Sequence, residues 1–244
     1  MSIRCTLATA RRVLSQLRHD PRTIGLLIVV PCVLMALLAW VFKGTQTFDE
    51  IGAPLLGIFP FVVMFLVTSV ATLRERTSGT LERLLSMPIG KLDFLLGYAL
   101  AFGGLAIVQA CVASGLALFA LGLDVAGPTW LLVSVAVLDA ILGMALGLFV
   151  SAFAATEFQA VQFLPAVVLP QFLLCGLLVP RDEMTDFLYA LSSVLPLSYA
   201  VDAMRAVTTS ATVQSDTWRD LGIVVGAIVL ALALGAATLR RRTE

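Results

Sequence analysis

Residues 130–153 read WLLVSVAVLDAILGMALGLFVSAF, a run of 24 positions with one ionisable side chain, Asp139. A helix rises about 1.5 Å per residue, so about 20 apolar residues cross a hydrocarbon core about 30 Å thick. This run is long enough to cross, and it has no polar face to turn toward water. Five more runs of the same character flank it, at 23–42, 53–73 and 94–121 before it and at 158–179 and 221–239 after it. The chain of 244 residues is 59% apolar and 13% charged, far from the balance of a soluble protein. The sequence therefore predicts an all-α polytopic membrane protein of six transmembrane helices, with a single membrane domain over 1–244.

A seventh apolar stretch, 187–201, is broken by Ser192, Ser193, Pro196 and Ser198, and a crossing there would put the two ends of the chain on opposite sides. With six spans and the N-terminus inside, the cytoplasmic segments carry twelve of the sixteen Lys and Arg residues. The outer segments keep Lys43, Arg181, Arg205 and Arg219 among nine acidic residues. That bias is the positive-inside pattern, so both termini are expected in the cytoplasm and 180–217 at the outer face. Trp40, Trp130 and Trp218 then fall at outer ends of spans, where amphipathic rings anchor. The first run is read as a retained span rather than a signal peptide, because Lys43, Gly44, Thr45 and Gln46 follow it with no small-x-small cleavage site.

Zero net charge, with Arg in separate clusters, argues against a nucleic-acid binder, which needs a basic surface. The spacing of Cys5, Cys32, Cys111 and Cys175 suits neither a disulfide framework nor a zinc site. No phosphate-binding loop is present: Gly90 and Lys91 are followed by Leu92, and Leu85 stands where the first glycine belongs. The sole histidine, His19, leaves no zinc-protease or Ser/His pattern. No enzymatic site is expected, and no cofactor or metal bound by this chain. Arg outnumbers Lys fourteen to two, and Ala, Leu and Val dominate, the usage of a high-GC bacterium, so the expected location is a bacterial inner (plasma) membrane.

Ahead of the first span, Ile3, Leu7, Ala10, Leu14 and Leu17 recur at helical spacing beside Arg4, Arg11, Arg12 and Arg18. The pattern predicts an amphipathic helix over 1–22 lying on the inner leaflet, where each Arg near an anionic surface contributes about 1 kcal/mol. The cytoplasmic stretch 74–91 predicts a second short helix, with Thr77 or Ser78 to cap it, Leu81, Leu84 and Leu85 on one face, and Pro88 to end it. Such a helix either docks onto a cytoplasmic partner or rests on lipid.

This stretch resembles the Glu-Arg-x-x-Gly-Thr-Leu-Glu-x-Leu-Leu-x-x-Pro segment of type-2 ABC transporter permeases, matched here from Glu75 to Pro88. The resemblance implies that 79–86 is a coupling helix seated in a cleft of a separate ATP-hydrolysing subunit, with Gly79, Thr80, Leu81, Glu82, Arg83, Leu84 and Leu85 as docking residues. It also implies that 1–22 is the family's interfacial connecting helix. By the same resemblance 164–205, with Pro165, Pro170, Gly176, Pro180 and Pro196, is a fifth span followed by short re-entrant helices. ATP and Mg would be bound by the partner ATPase. The other implied partners are a second copy or sister permease, membrane lipids and an amphipathic substrate (drug, antibiotic or lipid) that is exported. The turn at 151–157 departs from the positive-inside pattern by carrying no Lys or Arg.

Asp139 is the one ionisable residue deep in a span, a placement that costs about 2.5–3.5 kcal/mol on insertion scales and marks either function or packing. Gln109, Gln162 and Gln171 are the other path or interface candidates; Gln159, Gln162 and Gln171 recur at helical spacing in the fifth span and could line a polar path, and span packing explains them equally well. As a packing residue its carboxyl would pair with Gln109. A proton-coupled secondary transporter using Asp139 is the rival function. Gly143, Gly147 and Ser151, and separately Gly222 and Gly226, present small faces at four-residue spacing. Such faces serve packing within the chain or between chains, and packing within the chain is expected.

Overall fold

The computed structural model describes residues 2–43, 47–77 and 91–238, and in them every regular element is helical. Helix α1 (Ile3–Arg18) is followed by α2 (Pro21–Val41), α3 (Thr47–Thr77) and α4 (Lys91–Gly115), which runs on as a π-helical turn, Leu116–Ala120. Next come α5 (Thr129–Val150), α6 (Glu157–Leu174), a 3₁₀ turn (Arg181–Glu183), α7 (Asp186–Ser192), α8 (Pro196–Thr209) and α9 (Ser215–Thr238). Six of these, α2, α3, α4 with its π turn, α5, α6 and α9, are long and apolar enough to cross a membrane. They coincide with the six runs of the sequence.

Local chemistry sets the starts. Asp20 accepts a hydrogen bond from the Thr23 amide (3.2 Å) at the head of α2, with Pro21 in the first turn, and Thr156 accepts from the Gln159 amide (3.2 Å) at the head of α6. Both are N-cap oxygens satisfying amides that have no partner inside the helix. Helix α3 has 31 residues, about 46 Å at 1.5 Å per residue, and so outruns a hydrocarbon core about 30 Å thick.

The centre of the bundle is α3 against α5: 61% and 67% of their apolar windows are buried, against 17% for α2 and α6. Small residues make that contact. A Cβ on Gly143 would overlap the Phe61 carbonyl, and one on Gly147 would overlap the Thr68 hydroxyl and the Phe65 carbonyl. The Thr68 hydroxyl lies 2.6 Å from the Met64 carbonyl oxygen of its own helix and 3.2 Å from that of Met144. Without a hydrophobic drive between helices in lipid, this close approach and a shared polar contact hold a pair together. The Gly143 face thus packs within the chain, as expected. The Gly222 and Gly226 face does not: among the described residues nothing lies within 4 Å of a Cβ at either position.

The two ends of the bundle are distinct. The end holding α1 also holds the start of α6, where Glu157 pairs with Arg74 (2.7 Å), and the end of α9, where Gly235 approaches Phe149 and Leu95. At the opposite end the rings of Trp130 and Trp218 lie 6.5 Å apart, and the Asp124 amide donates to Asp49 (3.1 Å). Trp40, 76% exposed near the end of α2, belongs to this same end. Helices α7 and α8 meet at 90°. The Thr208 and Val207 carbonyls at the tail of α8 accept from the Ala126 and Gly127 amides (3.1 and 2.9 Å), beside the opening turn of α5. Residues 175–214 therefore enter and leave at the opposite end, with α7 and α8 as a bent pair between the fifth and sixth candidate spans.

Several boundaries differ from the sequence reading: α3 runs from Thr47 to Thr77 rather than over 53–73, and α9 begins at Ser215 rather than 221. The fifth span stops at Leu174 rather than 179, because Gly176 turns the chain with φ +89°, a conformation that suits glycine. The turn is then locked. Arg181 pairs with Asp202, donates to Ser193 (3.1 Å), and lies over the rings of Tyr189 and Tyr199 at 5.5 and 5.1 Å.

Candidate functional site

The seven docking residues inferred from resemblance, Gly79 to Leu85, lie outside the described residues; their near flank does not. Three consecutive residues at the end of α3 reach three different elements. Arg74 donates from Nε and Nη2 to the two carboxylate oxygens of Glu157 at the head of α6 (2.7 and 3.0 Å). Glu75 accepts from Arg12 (3.3 Å) and Gln16 (3.0 Å) on α1. Arg76 donates to the Ser151 carbonyl at the C-cap of α5. Arg12 extends the tie to α4, donating to the Tyr98 hydroxyl (3.0 Å) and lying 5.9 Å from its ring centre.

A helix end projects three successive side chains about 100° apart, so charged neighbours there reach several partners at once. The Arg74–Glu157 pair is more than half exposed on both sides, and such pairs are worth at most about 1 kcal/mol. Its role is to set position. The cations missing from the 151–157 turn are thus supplied by α3. Sequence reading missed this because the partners are 83 and 75 residues apart. The one available signal was an acid opening an apolar run opposite a cluster of arginines.

Helix α1 is seated firmly. Gly97 of α4 brings it close, since a Cβ there would stand 2.6 Å from that of Thr9. Asp93, 3% exposed, accepts from the Ser2 amide (2.9 Å) and the Thr6 hydroxyl (3.3 Å), a carboxylate at the positive end of the helix dipole.

Between α1, α2, α3, α4 and α6, at the α1 end, lies an open pocket of about 810 Å³. This is within the range of about 300–1,000 Å³ usual for small-molecule sites. Leu66, Val67 and Val70 of α3, Phe102 of α4, and Phe158 and Val161 of α6 form apolar walls. Gln16, Asp20, Thr23, Arg74, Glu75 and Glu157 form a polar rim. The Thr23 hydroxyl, 2.6 Å from the Asp20 carboxylate, holds that acid below its usual range, helped by the Thr23 amide and, at longer range, Arg74. The pocket suits a ligand with an apolar body and a polar head.

The four path candidates do not converge. Asp139 is 1% exposed at the junction of α3, α5 and α8, where a Cβ on Gly57 would stand 2.8 Å from Oδ2 and 3.2 Å from the Met204 methyl; its Oδ1 has no hydrogen-bond partner among the described residues. Pairing of Asp139 with Gln109 is not formed. Gln109 instead donates to the Leu27 carbonyl (2.8 Å), tying α4 to α2. Gln171 is buried and donates back to Val167 of its own helix (3.2 Å), whereas Gln162 is exposed on α6.

Residues 4–208 match the ABC-2 type transporter family. Over 164 residues (67% of this chain, 22% of the relative) the chain is 26% identical to ABC transporter G family member 20 of Dictyostelium discoideum. It is also 26% identical to the probable multidrug ABC transporter permeases YbhS and YbhR of Escherichia coli (strain K12). Those matches run over 147 and 153 residues, 60% and 63% of this chain and 39% and 42% of the relatives. The chain thus spans less than half the length of each of these relatives. With a match covering most of its length, six candidate spans and no strand among the described residues, this chain belongs to the ABC-2 type transporter family.

Proposed function

We propose that this chain is the membrane-spanning permease subunit of an ATP-driven exporter of amphipathic compounds. It works as a pair with a second copy or a sister permease, and with separate ATPase subunits that carry the ATP and Mg. The α1 end faces the cytoplasm of a bacterial cell, and Gly79, Thr80, Leu81, Glu82, Arg83, Leu84 and Leu85 form the element that the ATPase grips.

The observation that carries this reading is the triple tie of Arg74, Glu75 and Arg76 immediately ahead of that element. Any displacement of 79–86 is applied to the end of α3. From there it reaches α6 through Glu157, α1 through Arg12, and α5 through Ser151. Helices α3, α6 and α1 wall the pocket, so a pull on 79–86 changes the pocket's shape, and a ligand bound there senses the state of the ATPase. The multidrug names of the Escherichia coli relatives are in keeping with amphipathic cargo.

Co-purification of the ATPase with detergent-solubilised permease tests the reading. Glu82→Arg and Leu84→Asp are expected to leave the permease yield intact and to abolish ATPase recovery. Each 1.4 kcal/mol lost at the contact is about tenfold in affinity. Full ATPase recovery with both variants would sink the docking assignment.

A further inference from the structure

We propose that Arg4, Arg11 and Arg18 form a docking ridge for the phosphate heads of anionic phospholipids, and that lipid held there seats α1 against the bundle. Of the exporter reading this needs only that the α1 end is the cytoplasmic one. Helix α1 carries four arginines and no acid. Arg12 is turned inward, to Glu75 and Tyr98. The other three are exposed and form no ion pair among the described residues. Spaced seven apart, they recur after nearly two full turns, so they run in one row about 21 Å long at 1.5 Å per residue. The acids nearest α1 are turned elsewhere. Glu75 takes Arg12 and Gln16, Asp93 takes the Ser2 amide and the Thr6 hydroxyl, and Asp20 takes Thr23, with Arg74 at longer range.

What flanks the row fits a bilayer surface. The fold splits the apolar stripe of the sequence: Ala10 and Leu17 are buried in the bundle, whereas Ile3, Leu7 and Leu14 stay exposed. At about 100° per residue, Ile3, Leu7 and Leu14 fall between that buried side and the arginine row, and Ala8 and Ser15 fall beyond it. A circuit of the helix thus meets bundle, apolar edge, cations, then small and polar side chains. That is the order of a helix that dips one edge into acyl chains and keeps its guanidinium groups level with the head groups. Only His19 and Asp20 separate α1 from α2, the first candidate span, so the row ends where the bilayer begins. Guanidinium groups suit phosphate through two-point contacts, and each basic residue near an anionic surface is worth about fivefold in affinity. Because Arg12 and Gln16 hold Glu75, lipid that fixes α1 also fixes the end of α3.

Native mass spectrometry of the purified full-length permease, offered equal amounts of phosphatidylglycerol and phosphatidylcholine with the same acyl chains, reads the preference without the ATPase. The wild-type protein is expected to retain phosphatidylglycerol about tenfold or more over phosphatidylcholine, and to melt higher as phosphatidylglycerol is added. Arg4→Gln, Arg11→Gln and Arg18→Gln combined are expected to bring the two lipids close to parity and to remove the shift in melting. The same three positions changed to Lys should keep most of the preference. A melt in phosphatidylcholine alone checks that the Gln variant folds; should it not, Arg11→Gln by itself, expected to lose about fivefold, takes its place. Glycerol 3-phosphate, a head without chains, is expected not to displace the lipid. Equal retention of the two lipids by the wild type, a preference undiminished by Gln, or displacement by glycerol 3-phosphate would overturn the proposal. An undiminished lipid preference combined with lost ATPase recovery would make the row a protein contact instead. Because the ATPase is absent from the lipid measurement, failure here is separate from failure of the docking assignment.

Discussion

Asp20 caps α2 through Thr23 and lies at the rim of the pocket. Its carboxyl is held below the usual range in the folded protein. The unfolded chain therefore takes up the proton first as pH falls, and the stabilisation is complete above the unfolded pKa and disappears as pH falls through the folded one. Asp20→Ala is expected to lower the melting temperature of the solubilised protein at neutral pH, by an amount that shrinks toward zero in strong acid. A deficit that grows on acidification would contradict the capping role. Asp139 carries the opposite lesson. Its sequence flags it as the odd residue of its span, but which neighbour it meets depends on how α3, α5 and α8 come together. The notch at Gly57 and the commitment of Gln109 to Leu27 are tertiary facts that no single span contains.

At the scale of elements, the six spans were readable because length and apolarity in lipid leave the backbone one local solution, the helix. The breaks at Ser192 to Ser198 were readable for the same reason, and the 90° bend of α7 on α8 bears them out. What could not be read is which helix faces which. The two glycine pairs look alike in the sequence, yet one is filled by Phe61, Phe65 and Thr68 and the other meets none of the described residues. The fold therefore predicts unlike tolerance. Gly147→Ala is expected to destabilise by about 1–3 kcal/mol or more through overpacking, whereas Gly222→Ala and Gly226→Ala should stay within about 0.5 kcal/mol. Thermal melts of the three variants check this, and similar losses in all three would mean that the α3–α5 contact is misassigned.

For the whole molecule, orientation and coupling are the claims at stake. Ser192 is buried and makes a poor labelling site for the segment proposed to lie at the outer face. Val194, 78% exposed, and Thr212, also exposed, are better. In a cysteine-free background, Val194→Cys and Thr212→Cys are expected to react with an impermeant thiol reagent added to intact cells, while Arg18→Cys at the end of α1 should not. The reverse pattern would invert the topology. The pocket, its rim and the triple tie at Arg74, Glu75 and Arg76 were not legible beforehand, because their members come from six helices and converge only once α3 is seated at the centre.

The central claim is that this chain converts ATP hydrolysis on another subunit into movement of an amphiphile. The most direct measurement is uptake of a fluorescent amphiphile into sealed proteoliposomes that hold the permease and its ATPase with the docking face outward. Uptake is expected to require ATP and Mg, to stop with the Glu82→Arg permease, and to ignore an imposed pH gradient. Uptake driven by a pH gradient without ATP, and unchanged by Glu82→Arg, would contradict the account and point instead to proton-coupled exchange.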